Sequence, residues 1–265
     1  MQPDFAQNAA FHDHLAAQYD EHLMRSPYDV LARRVFRELV VRHASPGSTL
    51  LDFGCGTGLD ALAYAEQGYR VLAYDNSPGM VNELRRRCQG YIESGRITPF
   101  SMEYPSFLEC FSQWPAPNAV SANFAVLNSI HDVGPLFDVF ARGLAPPGWV
   151  IASVLNPIHW TRMKAPGWWR GALRAPRGPR LHMTEPYVSY LHPVSSLRRA
   201  AFRFHLVGRA NAGSLVRYDD VTPGGKSSWW EPENSTTKGL GRVLWHTPAH
   251  RLLGHFVFLV WRRDR

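Results

Sequence analysis

The chain has 265 residues and a mass of 30.0 kDa, room for one large domain or two small ones. With 45% apolar and 19% charged residues it is not a disordered chain, and no apolar run approaches the roughly 18 residues that a membrane-spanning helix needs. The formal charge of +7 comes from 29 basic against 22 acidic residues. Only Lys164, Lys226 and Lys238 are lysines, so the arginine excess by itself is weak support for a nucleic-acid partner. The N-terminus, Met1 to Phe5, lacks the basic-then-apolar layout of a secretory signal. Cys55, Cys88 and Cys110 form neither a CxxC pair nor a metal-ligand spacing. A reducing, cytoplasmic setting is the expectation.

In chain order, Phe11 to Leu23 is a polar helical stretch. Val30, Leu31, Val35, Phe36, Leu39 and Val40 repeat at helical spacing over residues 28–43. Ser45-Pro-Gly-Ser48 ends that helix, and Thr49 to Phe53 is a short apolar strand running into a glycine cluster. A helix over 58–67 stops at Gly68, and Tyr69 to Asp75 is the second strand. Ser77-Pro78 opens a helix to about Cys88, with serine as N-cap and proline in the first turn. Strands follow at 96–102, 118–124 and 149–155, with a helix at 133–144 between the last two. No regular element is evident from 156 to 190. Ser195 to Phe202 reads as a short helix, 213–241 as a long loop or lid, and 254–262 as the closing strand. Strands alternating with helices over 150 residues predict a doubly wound α/β sheet, mostly parallel and covered on both faces.

The informative segment is Leu50-Leu-Asp-Phe-Gly-Cys-Gly-Thr-Gly58. A buried strand ends in three alternate glycines and a helix begins, a turn that lets backbone approach a ligand closely. Asp75, at the end of the next strand, is placed to accept hydrogen bonds from both hydroxyls of a ribose. A dinucleotide fingerprint would need glycine at position 59, which is Leu59, and no phosphate-loop lysine motif is present.

Leu51 to Gly58 together with Asp75-Asn-Ser-Pro-Gly-Met80 resembles the class I S-adenosylmethionine-dependent methyltransferases of the small-molecule type, over about residues 11–155. The resemblance implies a Rossmann-like sheet with an antiparallel C-terminal hairpin, S-adenosylmethionine as cofactor and no metal. It also implies roles for particular residues. Gly54, Cys55, Gly56, Thr57 and Gly58 would pass beside the methionyl and ribose parts. Asp52 would hold the amino group, Asp75 the ribose hydroxyls, and Asn76 the adenine edge. Glu103, where the family commonly has aspartate, would face the adenine amino group between Met102 and Tyr104. Asn123 and Phe124 would border the transferred methyl. Tyr19 would close over the methionyl carboxylate. The simplest reading of Cys55 is a small apolar filler, and Tyr19 also reads as ordinary helix packing.

Methyl transfer from a sulfonium needs mainly alignment and dehydration, and an oxygen acceptor adds a general base. His131 and His192 are the candidates for that base. Phe124, Asn128, Trp160, Trp168 and Tyr190 are candidate acceptor contacts. His12, His14 and His22 read as surface residues of the first helix. Asn123-Phe-Ala-Val stands where an exocyclic-nitrogen methyltransferase would carry Pro-Pro-aromatic, which disfavours nucleic-acid bases as acceptors. The segment 159–182 carries Arg162, Lys164, Arg170, Arg174, Arg177 and Arg180 with Trp160, Trp168 and Trp169 and, before position 183, no acid. It reads as a lid over an apolar acceptor, as a peripheral membrane patch, as an RNA-binding patch, or as an exposed basic loop; the lid is preferred. The expectation is a single domain: an N-terminal helical cap (1–44), a cofactor-binding core (45–155), an acceptor-side insert and lid (156–250) and a closing strand (251–265). Its function would be methylation of a small apolar or aromatic molecule at oxygen. The alternatives are methylation of a membrane-associated quinone or lipid at carbon, oxygen or nitrogen, and a non-catalytic cofactor-binding or RNA-binding protein.

Overall fold

The computed structural model describes residues 3–157, 179–183, 185–212 and 255–264. Two helices lead: α1 (Pro3–Met24) and α2 (Pro27–His43). Ser26 caps α2 by accepting from the Asp29 N–H at 3.1 Å, with Pro27 in the first turn where no N–H is needed. The core alternates β1 (Thr49–Phe53), α3 (Leu59–Glu66), β2 (Arg70–Asp75), α4 (Pro78–Arg87), α5 (Gln89–Glu93), β3 (Ile97–Ser101), α6 (Tyr104–Cys110), β4 (Ala119–Ala122), α7 (Gly134–Gly143) and β5 (Gly148–Leu155). Ser77 caps α4 as the sequence predicts, accepting from Met80 N–H at 3.2 Å, and Arg85, Arg86 and Arg87 lie at its C-terminus where the helix dipole favours cations. There follow β6 (Arg180–Met183), β7 (Ser189–Leu191), α8 (Val194–Ala200), β8 (His205–Ala212) and β9 (Phe256–Arg263).

Seven strands form one sheet in the order β3-β2-β1-β4-β5-β9-β8. β1 to β5 pair in parallel, while β9 is antiparallel to both β5 and β8. Among the described strands of this sheet, only β9 therefore runs against the rest. Strand order reverses between β1 and β4, so the crevice at their carboxyl ends is the topological switch point. Each face of the sheet carries its own core. Phe53, Phe107, Phe111, Phe140 and Trp261 pack on one side, and Phe36, Leu50, Tyr64 and Phe258 on the other. Burial on both faces is why the strands read as nearly continuous apolar runs.

Several expectations are revised. The N-terminal helix begins at Pro3 and covers far more than 11–23. The fourth strand stops at Ala122, because Phe124 and Ala125 have φ of 48° and 60° and such left-handed residues cannot continue a pleat. The stretch read as irregular up to 190 contains the antiparallel pair β6–β7. β8 went unread because Gly208 and Asn211 are weak strand formers; its ladder with β9 supplies the order.

Candidate active site

The glycine turn after β1 is fixed from below by its neighbour strand, since the N–H groups of Gly54 and Cys55 both donate to the Tyr74 carbonyl at 2.8 and 2.9 Å. Gly54 has φ +74°, and a Cβ there would lie 2.4 Å from Val126 Cγ2. Gly56 has φ +52°, and a Cβ there would meet nothing within 4 Å. The first glycine makes room for packing, and the second leaves the backbone open on one face. Gly58, also left-handed, leads into α3. Asp75 closes the turn: its Oδ2 accepts from Gly56 N–H at 2.8 Å and its Oδ1 from Ser77 N–H at 2.9 Å. Burial raises its pKa, while these two N–H groups and His12 on α1 pull the other way. Each oxygen keeps lone pairs for further donors. Cys55 is buried, its thiol pushed well up by that burial, as befits a filler rather than a nucleophile.

Beneath the turn lies a buried charged network. Asp60, 4% exposed, accepts from Arg37 Nε at 2.6 Å, Arg33 Nη1 at 2.7 Å and Asn123 Nδ2 at 2.9 Å. Burial works to raise the pKa of Asp60, but the two arginines and the Asn123 and Arg37 hydrogen bonds prevail and hold it below the usual range. Asp52, on β1, is 2% exposed, and its Oδ2 has no hydrogen-bond partner. Burial first, and the Asp60 charge second, push its pKa up to about 8. The Arg33 guanidinium also lies 4.3 Å from the centre of the Phe124 ring, a cation–π contact. Arg33, Arg37 and Asp60 escaped the sequence reading. Arginine on an N-terminal helix and aspartate in a first turn look like ordinary surface residues until the fold brings them together.

α1 lies against this turn. Asp13 Oδ1 accepts from Ser77 Oγ at 2.5 Å and Gly79 N–H at 2.7 Å, and Asp20 takes Thr57 Oγ1 at 2.5 Å together with Arg87. Asn8 is bonded both ways to the Val188 main chain, at 3.0 and 2.7 Å. Tyr19 is half-buried near Arg33, Asp75 and Tyr187, and burial raises its pKa to about 12. His12, read as a surface residue, is half-buried instead, its ring tilted 47° to that of Tyr187 with centres 6.1 Å apart.

At the end of β4, Asn123 Oδ1 accepts from Phe124 N–H at 2.8 Å and Ser153 Oγ at 3.1 Å, while Ser153 Oγ accepts from Ala125 N–H at 3.3 Å. The left-handed pair is thus held at both N–H groups. Asn128 is buried and ties Leu155 N–H at 3.0 Å and the Tyr190 carbonyl, so its side chain is engaged in joining β5 to β7. The two histidines separate. His131 is exposed, its ring 5.0 Å from that of Tyr190. His192 is 1% exposed, its Nε2 lies 2.8 Å from the Ile130 carbonyl, and burial lowers its pKa. Its ring is thus engaged with the main chain of Ile130.

Of the residues expected at the adenine, Asn76 is half-buried beside Asp75 and Glu103 is exposed. Met102 is half-buried against Cys110, Sδ to Sγ 3.5 Å. Tyr104 is buried in the core under Phe5, ring centres 4.5 Å apart. Trp160 and Trp168 lie outside the described residues, as do nearly all of 159–182 and the whole of 213–254. Among the described residues no group of three or more His, Cys, Asp or Glu is arranged to hold a metal, and no helix is long and apolar enough to cross a membrane. An open backbone at Gly56, a dicoordinated carboxylate at Asp75 and an orphaned buried oxygen on Asp52 suit a ligand that brings a pair of hydroxyls and a cation.

Comparison with known proteins agrees with this architecture. The chain is 30% identical over 110 residues to a ubiquinone biosynthesis O-methyltransferase of Xylella fastidiosa, covering 42% of this chain and 43% of that protein. It is 45% identical over 51 residues to a malonyl-[acyl-carrier protein] O-methyltransferase of Serratia marcescens, covering 19% of this chain and 20% of the relative. The alignments thus span half or less of these relatives' length. In fold it is similar to the Burkholderia thailandensis 1,6-didemethyltoxoflavin-N1-methyltransferase crystallised with bound 1,6-didemethyltoxoflavin and S-adenosylhomocysteine. The TM-score is 0.59 at 16% identity, over 98% of this chain and 88% of that one. Residues 19–191, most of the described core, match the model of the methyltransferase domain, and the chain belongs to that family.

Proposed function

We propose that the protein transfers a methyl group from S-adenosylmethionine to an oxygen of a small apolar or aromatic molecule. The observation that carries the cofactor half is the pairing of Asp75 with the open Gly56 backbone at the switch point. The oxygen preference rests on the two O-methyltransferase relatives. When bound, the cofactor supplies an already activated methyl group. Asp75 would accept the ribose hydroxyls, the 54–58 backbone would lie along the methionyl and ribose parts, and Asp52 would face the amino group. Tyr19 and α1 would cover the site from above and exclude water. Asn123 holds the Phe124 turn in place beside the reacting region.

His131 is the base we assign: exposed beside Tyr190, it can take the acceptor's hydroxyl proton onto an imidazole nitrogen. His192, bonded to Ile130 next door, is a positioning residue for that segment.

Titration calorimetry tests the cofactor half. Asp75→Ala should weaken S-adenosylmethionine by about 1–3 kcal/mol; unchanged affinity would remove Asp75 from the site. Once mass spectrometry of copurifying or supplied phenols and acids identifies an acceptor, His131→Ala should lower turnover by on the order of 10²–10⁴ with cofactor affinity retained. Wild-type turnover in that variant would mean that the proton leaves without a side-chain base.

A further inference from the structure

The two carboxylates beneath the glycine turn are served unequally. Asp60 collects Arg33, Arg37 and Asn123, whereas Asp52 keeps a buried oxygen with no partner. Every element packed around Asp52 contributes to its surroundings. α2 offers Arg33 and Arg37, α3 offers Asp60 and the Tyr64 hydroxyl, β4 offers Ser121, and the thiols of Cys55 and Cys88 lie nearby. The arginine donors nearest to it are directed to Asp60, and the Tyr64 hydroxyl pairs with Ser121 Oγ at 3.1 Å. Ser121 gives Asp52 a side-chain hydrogen bond, which works to lower its pKa but leaves Oδ2 unserved. A buried carboxylate with one unserved oxygen beside a second, ionised one cannot readily hold its own charge.

We propose that Asp52 and Asp60 form an unequal pair, in which Asp60 retains both arginines and Asp52 carries a proton that it gives up to solvent when the ammonium group of the cofactor arrives, so that cofactor binding is linked to proton release. This rests on the cofactor reading above. The balance is simple. The Asp52 O–H bond breaks, its proton passes to buffer, and the resulting carboxylate accepts a charge-assisted hydrogen bond from the ligand's N–H. The charge that Asp60 denies Asp52 in the free protein is supplied by the ligand. The raised pKa of Asp52, about 8, agrees with a protonated resting state at neutral pH. Affinity should then rise with pH while Asp52 is still protonated in the free protein and the ligand's amino group still carries its charge. The consequence is a site whose hold on its cofactor follows the pH of its surroundings, set by a residue, Asp60, that itself need not touch the ligand.

The test is titration calorimetry of the full chain with S-adenosylhomocysteine at about pH 7, in phosphate and in Tris, whose ionisation enthalpies differ. The expected result is an apparent enthalpy that depends on buffer and corresponds to nearly one proton released per ligand bound. Asp52→Asn should still bind, more weakly, with the buffer dependence gone. Asp60→Asn turns Arg33 and Arg37 toward Asp52, ionises it beforehand and should also abolish the release. If Asp60→Asn does not fold, Asp52→Asn carries the test by itself. Equal enthalpies in both buffers for the wild type would overturn the proposal and leave the cofactor reading standing, and so would proton release that persists in Asp52→Asn. Absence of binding heat in both buffers, with no thermal stabilisation by the ligand either, would remove both.

Discussion

Gly54 and Gly56 stand two residues apart in the same turn, both left-handed, and their surroundings separate their roles. A side chain at Gly54 would collide with Val126, 2.4 Å away, so Gly54→Ala adds overpacking of about 1–3 kcal/mol to the cost of a left-handed alanine. At Gly56 there is no neighbour within 4 Å, and Gly56→Ala should cost only about 1–2 kcal/mol of backbone strain. Thermal unfolding should therefore rank Gly54→Ala below Gly56→Ala, while calorimetry should find that Gly56→Ala loses the ligand. A Gly56→Ala variant that binds S-adenosylhomocysteine like the wild type would mean that the open face is not where the ligand lies. Asp60 poses the opposite case, a side chain whose removal takes away an ion-pair partner. With its carboxylate gone, the largely buried Arg33 and Arg37 are left to share the single Asp52 carboxylate and lose their hydrogen bonds, and Asp60→Ala should lose about 3–5 kcal/mol in denaturant unfolding.

At the scale of elements, α1 is the informative piece. Little of it is buried: Asn8 and Ala16 are its fully covered residues among those described. It is held instead by polar latches, Asn8 to Val188, Asp13 to Ser77 and Gly79, and Asp20 to Thr57 and Arg87. Few apolar contacts and several part-exposed hydrogen bonds describe an element that opens before the rest of the fold. Asp20→Ala should lower global stability by only about 1 kcal/mol. It should nevertheless speed hydrogen exchange in α1 and leave the amides of β1, β4 and β5 protected. Uniform exchange changes across the sheet would show that α1 is part of the cooperative core. The same latches run to both sides of the glycine turn, so α1 is fastened to the loop proposed to hold the cofactor.

For the molecule as a whole, the buried ionisable groups set how stability depends on pH. Asp52 binds its proton more tightly folded than unfolded. Its contribution is complete below the ordinary aspartate range and is lost as pH rises toward its folded value of about 8. His192 acts in the other direction: burial lowers its pKa, so its contribution is present above the ordinary histidine range and is lost on acidification. The wild type should therefore melt at a lower temperature at about pH 9 than Asp52→Asn does, relative to each protein's value at about pH 6. Parallel melting curves across that range would mean that Asp52 titrates alike in both states. The sheet itself explains why such groups are buried at all. Reversal of strand order between β1 and β4 opens the crevice at one edge of the core, and Asp52, Asp60 and Asn123 lie where the carboxyl ends of these two strands meet α2 and α3.

What the sequence determined by itself was local. The β1 run into alternate glycines, the Ser77-Pro78 cap, the Ser45-Pro-Gly break and the alternation of strand and helix are short-range signals, because each depends on the chemistry of adjacent residues. They were enough to place the parallel core, the glycine turn and the strand end that carries Asp75 within a residue or two. The partners of those residues were a different matter. Nothing in Arg33 or Asp60 alone marks them, since their contact spans 27 positions in the chain and arises only when α2 lies against the start of α3. His131 and His192 look alike as letters, yet one is exposed and the other is closed against Ile130, because burial is settled by which element comes to cover a residue. Likewise β8 exists through its ladder with β9, and the left-handed Phe124–Ala125 pair through Asn123 and Ser153. Local propensity wrote the frame; the pairing of distant charges and the covering of one residue by another were decided only by tertiary packing, where desolvation and hydrogen-bond partners are assigned.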